Sequence, residues 1–201
     1  MNIDLFNSNE FDLNLPDSNI TYYSNFLDPK SADKYFQIFL KELNWQQQDI
    51  TIFGKRIPQP RLTALYAVND MPYSYSNLTL IPKNFTPELL EIQQKLNIQT
   101  GKDFTHCLAN FYRDGNDSMG WHSDDEKALG KDPAIASVSL GGVRNFQLKH
   151  KGRQDQRFKL DLEHGSLLLM AGSTQHFWKH QLPKTKKQVA PRINLTFRTI
   201  L

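Results

Sequence analysis

Arg192-Ile193-Asn194-Leu195-Thr196-Phe197-Arg198 alternates polar and apolar residues from end to end. Successive side chains of an extended strand point to opposite faces. Arg192, Asn194, Thr196 and Arg198 therefore share one face, and Ile193, Leu195 and Phe197 share the other. A second segment repeats the pattern, with Asn110 and Tyr112 opposite Ala109 and Phe111. Two readings fit. The polar face is exposed over an apolar core, as is common in antiparallel sheets, or it lines an interior that holds an anion. Periodicity alone does not choose between them.

Working outward, the pattern from residue 103 onward is one of short strands separated by turn signals. The candidates are 104–112, 135–140, 143–149, 157–162, 165–171 and 192–199. Ahead of them stand two helix signatures. Asp28-Pro29 is an N-cap followed by proline at the first helical position, and Ala32, Tyr35, Phe36, Phe39, Leu40 and Leu43 follow at helical spacing. Thr86-Pro87 opens the second, which carries Leu89, Leu90, Ile92 and Leu96 and stops by Gly101. Residues 50–80 are rich in β-formers broken by Gly54, Pro58, Pro60 and Pro72, which predicts hairpins and loops. Helices first and many short strands afterwards predict an α+β chain with helices on an antiparallel sandwich or barrel, for which a jelly roll fits best.

Composition bounds the function. At 201 residues the chain suits one domain, with residues 1–18 as a loose acidic lead-in and 19–201 as the folded unit. Its single cysteine, Cys107, excludes a disulfide-stapled scaffold. No apolar run approaches the ~20 residues of a membrane span, and the N-terminus lacks the basic and apolar regions of a signal peptide. The expected setting is intracellular: cytoplasmic in a prokaryote, nuclear in a eukaryote. The net charge of +3 hides an asymmetry, because residues 141–201 carry 12 basic and 3 acidic side chains. That basic third is a candidate footprint for a polyanion.

His122 and Asp124 are one residue apart, so an extended segment points both the same way. With His180 they make two imidazoles and a carboxylate, the ligand set of non-haem Fe(II) oxygenases. The acidic stretch from Asp114 to Asp125 is not a calcium loop, since Met119 stands where glycine is needed and Asp125 where a glutamate is needed. A lone His-x-Asp is a weak signal. It gains weight from Arg192, because an Fe(II) oxygenase that consumes 2-oxoglutarate needs a fixed cation for the distal carboxylate, and arginine offers a two-pronged fork.

The segments Pro60-Arg61-Leu62-Thr63-Ala64, Tyr73-Ser74-Tyr75-Ser76, 110–118, His122-Ser123-Asp124-Asp125-Glu126, His164-Gly165-Ser166 and 192–198 together resemble the AlkB family of DNA and RNA dealkylases. The likeness spans roughly residues 50–201 and is nearest the branch acting on double- and single-stranded DNA. It implies a double-stranded β-helix, with a nucleotide-recognition lid at about 50–85 and a jelly-roll core at about 103–201. It implies iron on His122, Asp124 and His180. It places 2-oxoglutarate on Asn110, Tyr112, Arg192, Asn194, Thr196 and Arg198, with O2 as the other co-substrate. Arg192 would hold the distal carboxylate and Arg198 the metal-side one. Asp125 matches a base-contacting acid, and Tyr73, Ser74 and Tyr75 match the lid around a flipped base. Lys149, Lys151 and Arg153 lie in a basic loop resembling one that grips the strand opposite the lesion. Phe53 resembles a finger that fills the gap left by the base. The implied activity is oxidative removal of methyl groups from bases such as 1-methyladenine and 3-methylcytosine, by a monomer. Methylated DNA is the expected partner, with RNA, or binding without catalysis, as alternatives.

Overall fold

The computed structural model describes residues 10–201 apart from 53, 76 and 77. Both expected helices form, at Pro29–Glu42 (α1) and Pro87–Thr100 (α2). The Asp28 carboxylate accepts the Ser31 N–H at 3.0 Å, and the Thr86 hydroxyl accepts the Leu89 N–H at 3.3 Å. Each cap satisfies a donor that the first helical turn leaves open. Gly101 ends α2 in the left-handed region at φ +65°, where a side chain would be strained.

Eight strands form one sheet. In chain order they are Glu10–Asp12 (β1), Asn19–Tyr23 (β2), Leu62–Ala67 (β5), Lys83–Asn84 (β8), His106–Tyr112 (β9), Ile135–Gly141 (β11), Leu167–Ala171 (β14) and Arg192–Arg198 (β16). Their spatial order is β1-β2-β14-β11-β16-β9-β5-β8, antiparallel except where β5 meets β8. A second, antiparallel sheet has the order β10-β15-β12-β13, made of Met119–His122 (β10), Arg144–His150 (β12), Arg157–Leu162 (β13) and Trp178–Leu182 (β15). Two hairpins stand apart: Asp49–Ile52 with Lys55–Pro58 (β3, β4) and Tyr73–Tyr75 with Leu78–Leu80 (β6, β7). A four-residue helix, Thr174–Phe177 (α3), leads into β15.

Two cores follow from the alternation. On one side of the large sheet, Ile193, Leu195 and Phe197 pack with Ala109, Val138, Phe39, Leu89, Ile92 and Leu96 under the helices. Between the sheets, Leu108, Tyr112 and Met170 meet Phe146, Leu148, Trp178 and Leu182. The second face of β16 therefore looks into the molecule. Arg192, Thr196 and Arg198 are buried there and Asn194 is half-buried, so the interior reading of that strand holds.

The structure departs from the sequence reading in four places. Glu10–Asp12 pairs with β2 as an edge strand, where a loose lead-in was expected. The region read as a lid, 50–85, contains β5, which is an interior strand of the large sheet. The large sheet likewise takes β1, β2, β5 and β8 from outside 103–201. Unexpected strands β10 and β15 complete the small sheet, and they carry the histidines.

Candidate metal centre and anion pocket

His122 ends β10 and pairs in register with His180 at the centre of β15. Asp124 follows two residues after His122, and its N–H donates to the buried Gln175 side-chain oxygen at 2.9 Å. One ligand atom from each of His122, Asp124 and His180 lies within 4.8 Å of the others, a single cluster facing one cavity. The His122 Nδ1–H donates to the Gly120 carbonyl at 2.8 Å, which leaves Nε2 with its lone pair free. Burial, then the neighbouring His122, pulls His180 down to about 3, so it is neutral at pH 7. Burial alone would raise the Asp124 carboxyl. Arg198, His180 and His122 outweigh it and hold the group well below the usual carboxylate range. Arg198 donates to Asp124 Oδ1 at 2.7 Å, while Oδ2 turns toward His180 Nε2 at 3.6 Å. Two neutral imidazoles and one carboxylate, with open space opposite, suit Fe(II).

The cavity, about 130 Å³, runs from this cluster along β16 and β9. At its far end stands Arg192, fully buried. Its Nη2 donates to the Ser139 hydroxyl at 2.9 Å, its plane lies 5.4 Å from the Tyr112 ring centre, and its Nε has no partner. No carboxylate among the described residues pairs with it, and burial lowers it to about 10. A buried cation without a counter-charge is costly. A carboxylate delivered by a ligand would remove that cost. Asn110, Asn194 and Thr196 line the wall between the two ends. Asn194 donates to the Ser137 hydroxyl and the Val138 carbonyl, fixing its amide.

The sequence profile of the 2OG-Fe(II) oxygenase superfamily matches residues 19–198. The chain is 40% identical over 197 residues to mouse alpha-ketoglutarate-dependent dioxygenase alkB homolog 3, covering 91% of this chain and 66% of that protein. It is likewise 40% identical over 189 residues to human DNA oxidative demethylase ALKBH2, covering 89% of this chain and 72% of that protein. The chain belongs to the AlkB family of 2OG-Fe(II) dioxygenases. It spans just under two thirds of the length of the first of these relatives. Its fold also matches the structure of OsALKBH1, with a TM-score of 0.68 at 17% identity, over 90% of this chain and 97% of that one.

AlkB-family dioxygenases use Fe(II) and 2-oxoglutarate, and the two ends of this cavity offer a donor set for each. Other sequence-predicted residues distribute unevenly around it. Tyr73 is buried at the metal end; its hydroxyl donates to Glu126 Oε1 at 3.2 Å, and the Arg198 guanidinium lies 5.2 Å from its ring centre. The Ser74 and Tyr75 side chains, and all of Phe53, lie outside the described residues. Asp125 does not line the cavity. It is exposed and pairs with Lys151 at 3.1 Å. Lys151 also donates to the Gln175 carbonyl, and Arg153 pairs with Asp17 at 2.9 Å.

Sequence reasoning gave no role to Glu126 or Arg61, both of which line the cavity. Burial, reinforced by Asp124, raises the Glu126 carboxyl. Arg61 is buried and donates to Asn110 Oδ1 at 2.8 Å, fixing that amide across strands. A signal for Arg61 existed: an arginine opening the apolar run of β5 needs a polar partner indoors.

Proposed function

We propose that this protein oxidatively removes N-linked methyl groups from bases in nucleic acid, with DNA as the substrate and 2-oxoglutarate and O2 as co-substrates. The observation that carries the reading is one cavity with His122, Asp124 and His180 at one end and the unpaired Arg192 at the other. A monocarboxylate would satisfy only one end of the cavity, and a neutral ligand would leave Arg192 unpaired; a dicarboxylate spans both ends. The two sheets around that cavity are read as a double-stranded β-helix, and residues 19–201 as one catalytic domain.

His122, Asp124 and His180 would hold iron, which, with 2-oxoglutarate and O2, supplies the two-electron oxidation that puts a hydroxyl on the methyl carbon. The balance is one methylated base, one 2-oxoglutarate and one O2 giving hydroxymethyl base, succinate and CO2; the hydroxymethyl group then leaves as formaldehyde. Arg192 would bind the distal carboxylate through paired N–H groups, and Tyr112 supports its plane. Asn110 and Asn194, held by Arg61 and Ser137, present fixed amides to the chain between. Arg198 neutralises Asp124 Oδ1 and leaves Oδ2 facing the metal position. Tyr73 and Glu126 form the polar wall where a base flipped from its stack would enter.

Glu126 takes over the role first assigned to Asp125. It faces the cavity, and a carboxyl there suits a methylated cationic base. The test is an assay with Fe(II), 2-oxoglutarate and matched DNA and RNA oligonucleotides carrying 1-methyladenine or 3-methylcytosine. Formaldehyde and succinate should appear in equal amounts, faster on DNA. Succinate without formaldehyde on every oligonucleotide would refute the substrate, and neither product would leave a binding module.

A further inference from the structure

The outer face of the small sheet carries a row of like charges. Arg157 on β13 is the register partner of Lys149 on β12, and Lys149 is the partner of Lys179 on β15. Paired residues of adjacent strands point to the same face, and strands lie ~4.8 Å apart, so three cations stand within roughly 10 Å. All three line one groove of about 610 Å³, whose wall also includes Lys151, held there by Asp125 and the Gln175 carbonyl. Like charges directly opposite one another destabilise a sheet, and the span is little more than a Debye length in physiological salt.

Nearby acids do not relieve the row. Asp125 pairs with Lys151, Asp17 with Arg153 and His150, and Asp161 accepts from Asn145. Lys149 instead sits 4.3 Å from the centre of the Trp121 ring, one residue from the metal ligand His122. Resting on that ring holds its charge at the surface beside the cavity.

We propose that this row, Arg157–Lys149–Lys179, is the seat of the phosphodiester backbone, and that Lys151 and Arg153 at the hairpin tip are not. The proposal rests on the nucleic-acid reading above and changes which cations carry it. A nucleic-acid strand fits better than an acidic protein. The positions beside the row on these strands are the half-buried Gln147 and Gln181 and the exposed Lys159, which add a further cation and no apolar side chain.

The test is fluorescence anisotropy with labelled, unmethylated oligo-dT over a range of salt. Three lost phosphate contacts should flatten the slope of log affinity against log salt by about 2 in the variant K149Q/R157Q/K179Q. K179Q alone should flatten it by about 0.7, and K151Q/R153Q should leave it as in wild type. The triple variant should melt no lower than wild type, since it removes like charges. An unchanged slope in the triple variant, or a larger change in K151Q/R153Q, would overturn the proposal. So would polyglutamate displacing the oligonucleotide as well as oligo-dT of equal charge does. Because the probe carries no methyl group, failure of the demethylase reading shows separately, as absence of formaldehyde from methylated oligonucleotides.

Discussion

Arg198 and Arg192 lie on the same face of one strand, both buried, and their surroundings are opposite. Arg198 has its counter-charge inside the protein, 2.7 Å away on Asp124, and that pairing raises its affinity for a proton above the ordinary arginine value despite burial. Both lie against an aromatic ring and leave Nε unpartnered, but Arg192 has only the Ser139 hydroxyl where Arg198 has a carboxylate, and burial weakens its hold on its proton. One end of the cavity is electrostatically complete in the protein alone. The other is complete only with an anionic ligand. Removing either charge should therefore have opposite consequences for the empty protein.

The largest expected effect is at the complete end. Asp124→Ala removes the one carboxylate of the candidate iron site among the described residues and strands the Arg198 cation. Turnover should vanish, and the empty protein should lose about 3–5 kcal/mol of stability, the cost of breaking a buried ion pair. Denaturant unfolding checks this. A variant as stable as wild type would show that the Arg198 pair contributes nothing.

Arg192→Met should do the reverse in the empty protein. It replaces an unpaired buried charge by an apolar side chain of similar length, so stability should stay level or rise. A loss of the size seen for Asp124→Ala would mean that Arg192 already has its partner inside the fold.

Acid should expose the metal end next. His180 is held down to about 3 in the folded protein, against 6.5 as its ordinary value. Between those values the unfolded chain binds the proton more readily, so stability rises with pH in that window. The metal-free protein should therefore weaken steadily as pH falls from about 6.5 toward 3, with the loss from Asp124 following only below its ordinary 3.8. A His180→Asn variant should flatten the upper part of that curve in thermal unfolding.

The smallest effect is at the mouth. Tyr73→Phe deletes one hydrogen bond to Glu126, worth about 0.5–1.5 kcal/mol. Demethylation of an oligonucleotide should suffer more than stability. Unchanged kcat/KM on methylated DNA, with lowered Tm, would make Tyr73 purely structural.

The same two ends differ in how legible they were. Alternation in β16 marks Arg192, Asn194, Thr196 and Arg198 as one face, but an exposed and an interior polar face have the same period. The burial of Arg192 decides it. Asp28-Pro29 and Thr86-Pro87 marked the helix starts correctly, because capping is local chemistry. Strands β10 and β15 were missed because metal ligands replace apolar residues at their inward positions. Trp178, His180 and Leu182 are buried while Lys179 is exposed and Gln181 half-buried, a regular strand once His180 counts as an inward residue. Asp125 and Glu126 show the limit of spacing. Beyond the last strand residue, His122, the chain turns, and only coordinates show that Glu126 faces the cavity while Asp125 points to Lys151. Likewise, Lys151 and Arg153 look free in sequence, yet acids 26 and 136 residues away claim them.

Calorimetric titration of the metal-loaded protein tests the central claim, that Arg192 awaits the distal carboxylate of 2-oxoglutarate. The metal is Mn(II), which binds the same donor set without oxidation chemistry. 2-Oxoglutarate is compared with 2-oxobutanoate, which has the same chelating end and no distal carboxylate, on wild type and on Arg192→Met. A charge-assisted contact is worth about 1.5–3 kcal/mol, so wild type should prefer 2-oxoglutarate by roughly 10- to 150-fold, and the variant should bind both alike. Equal discrimination by both proteins would contradict the account.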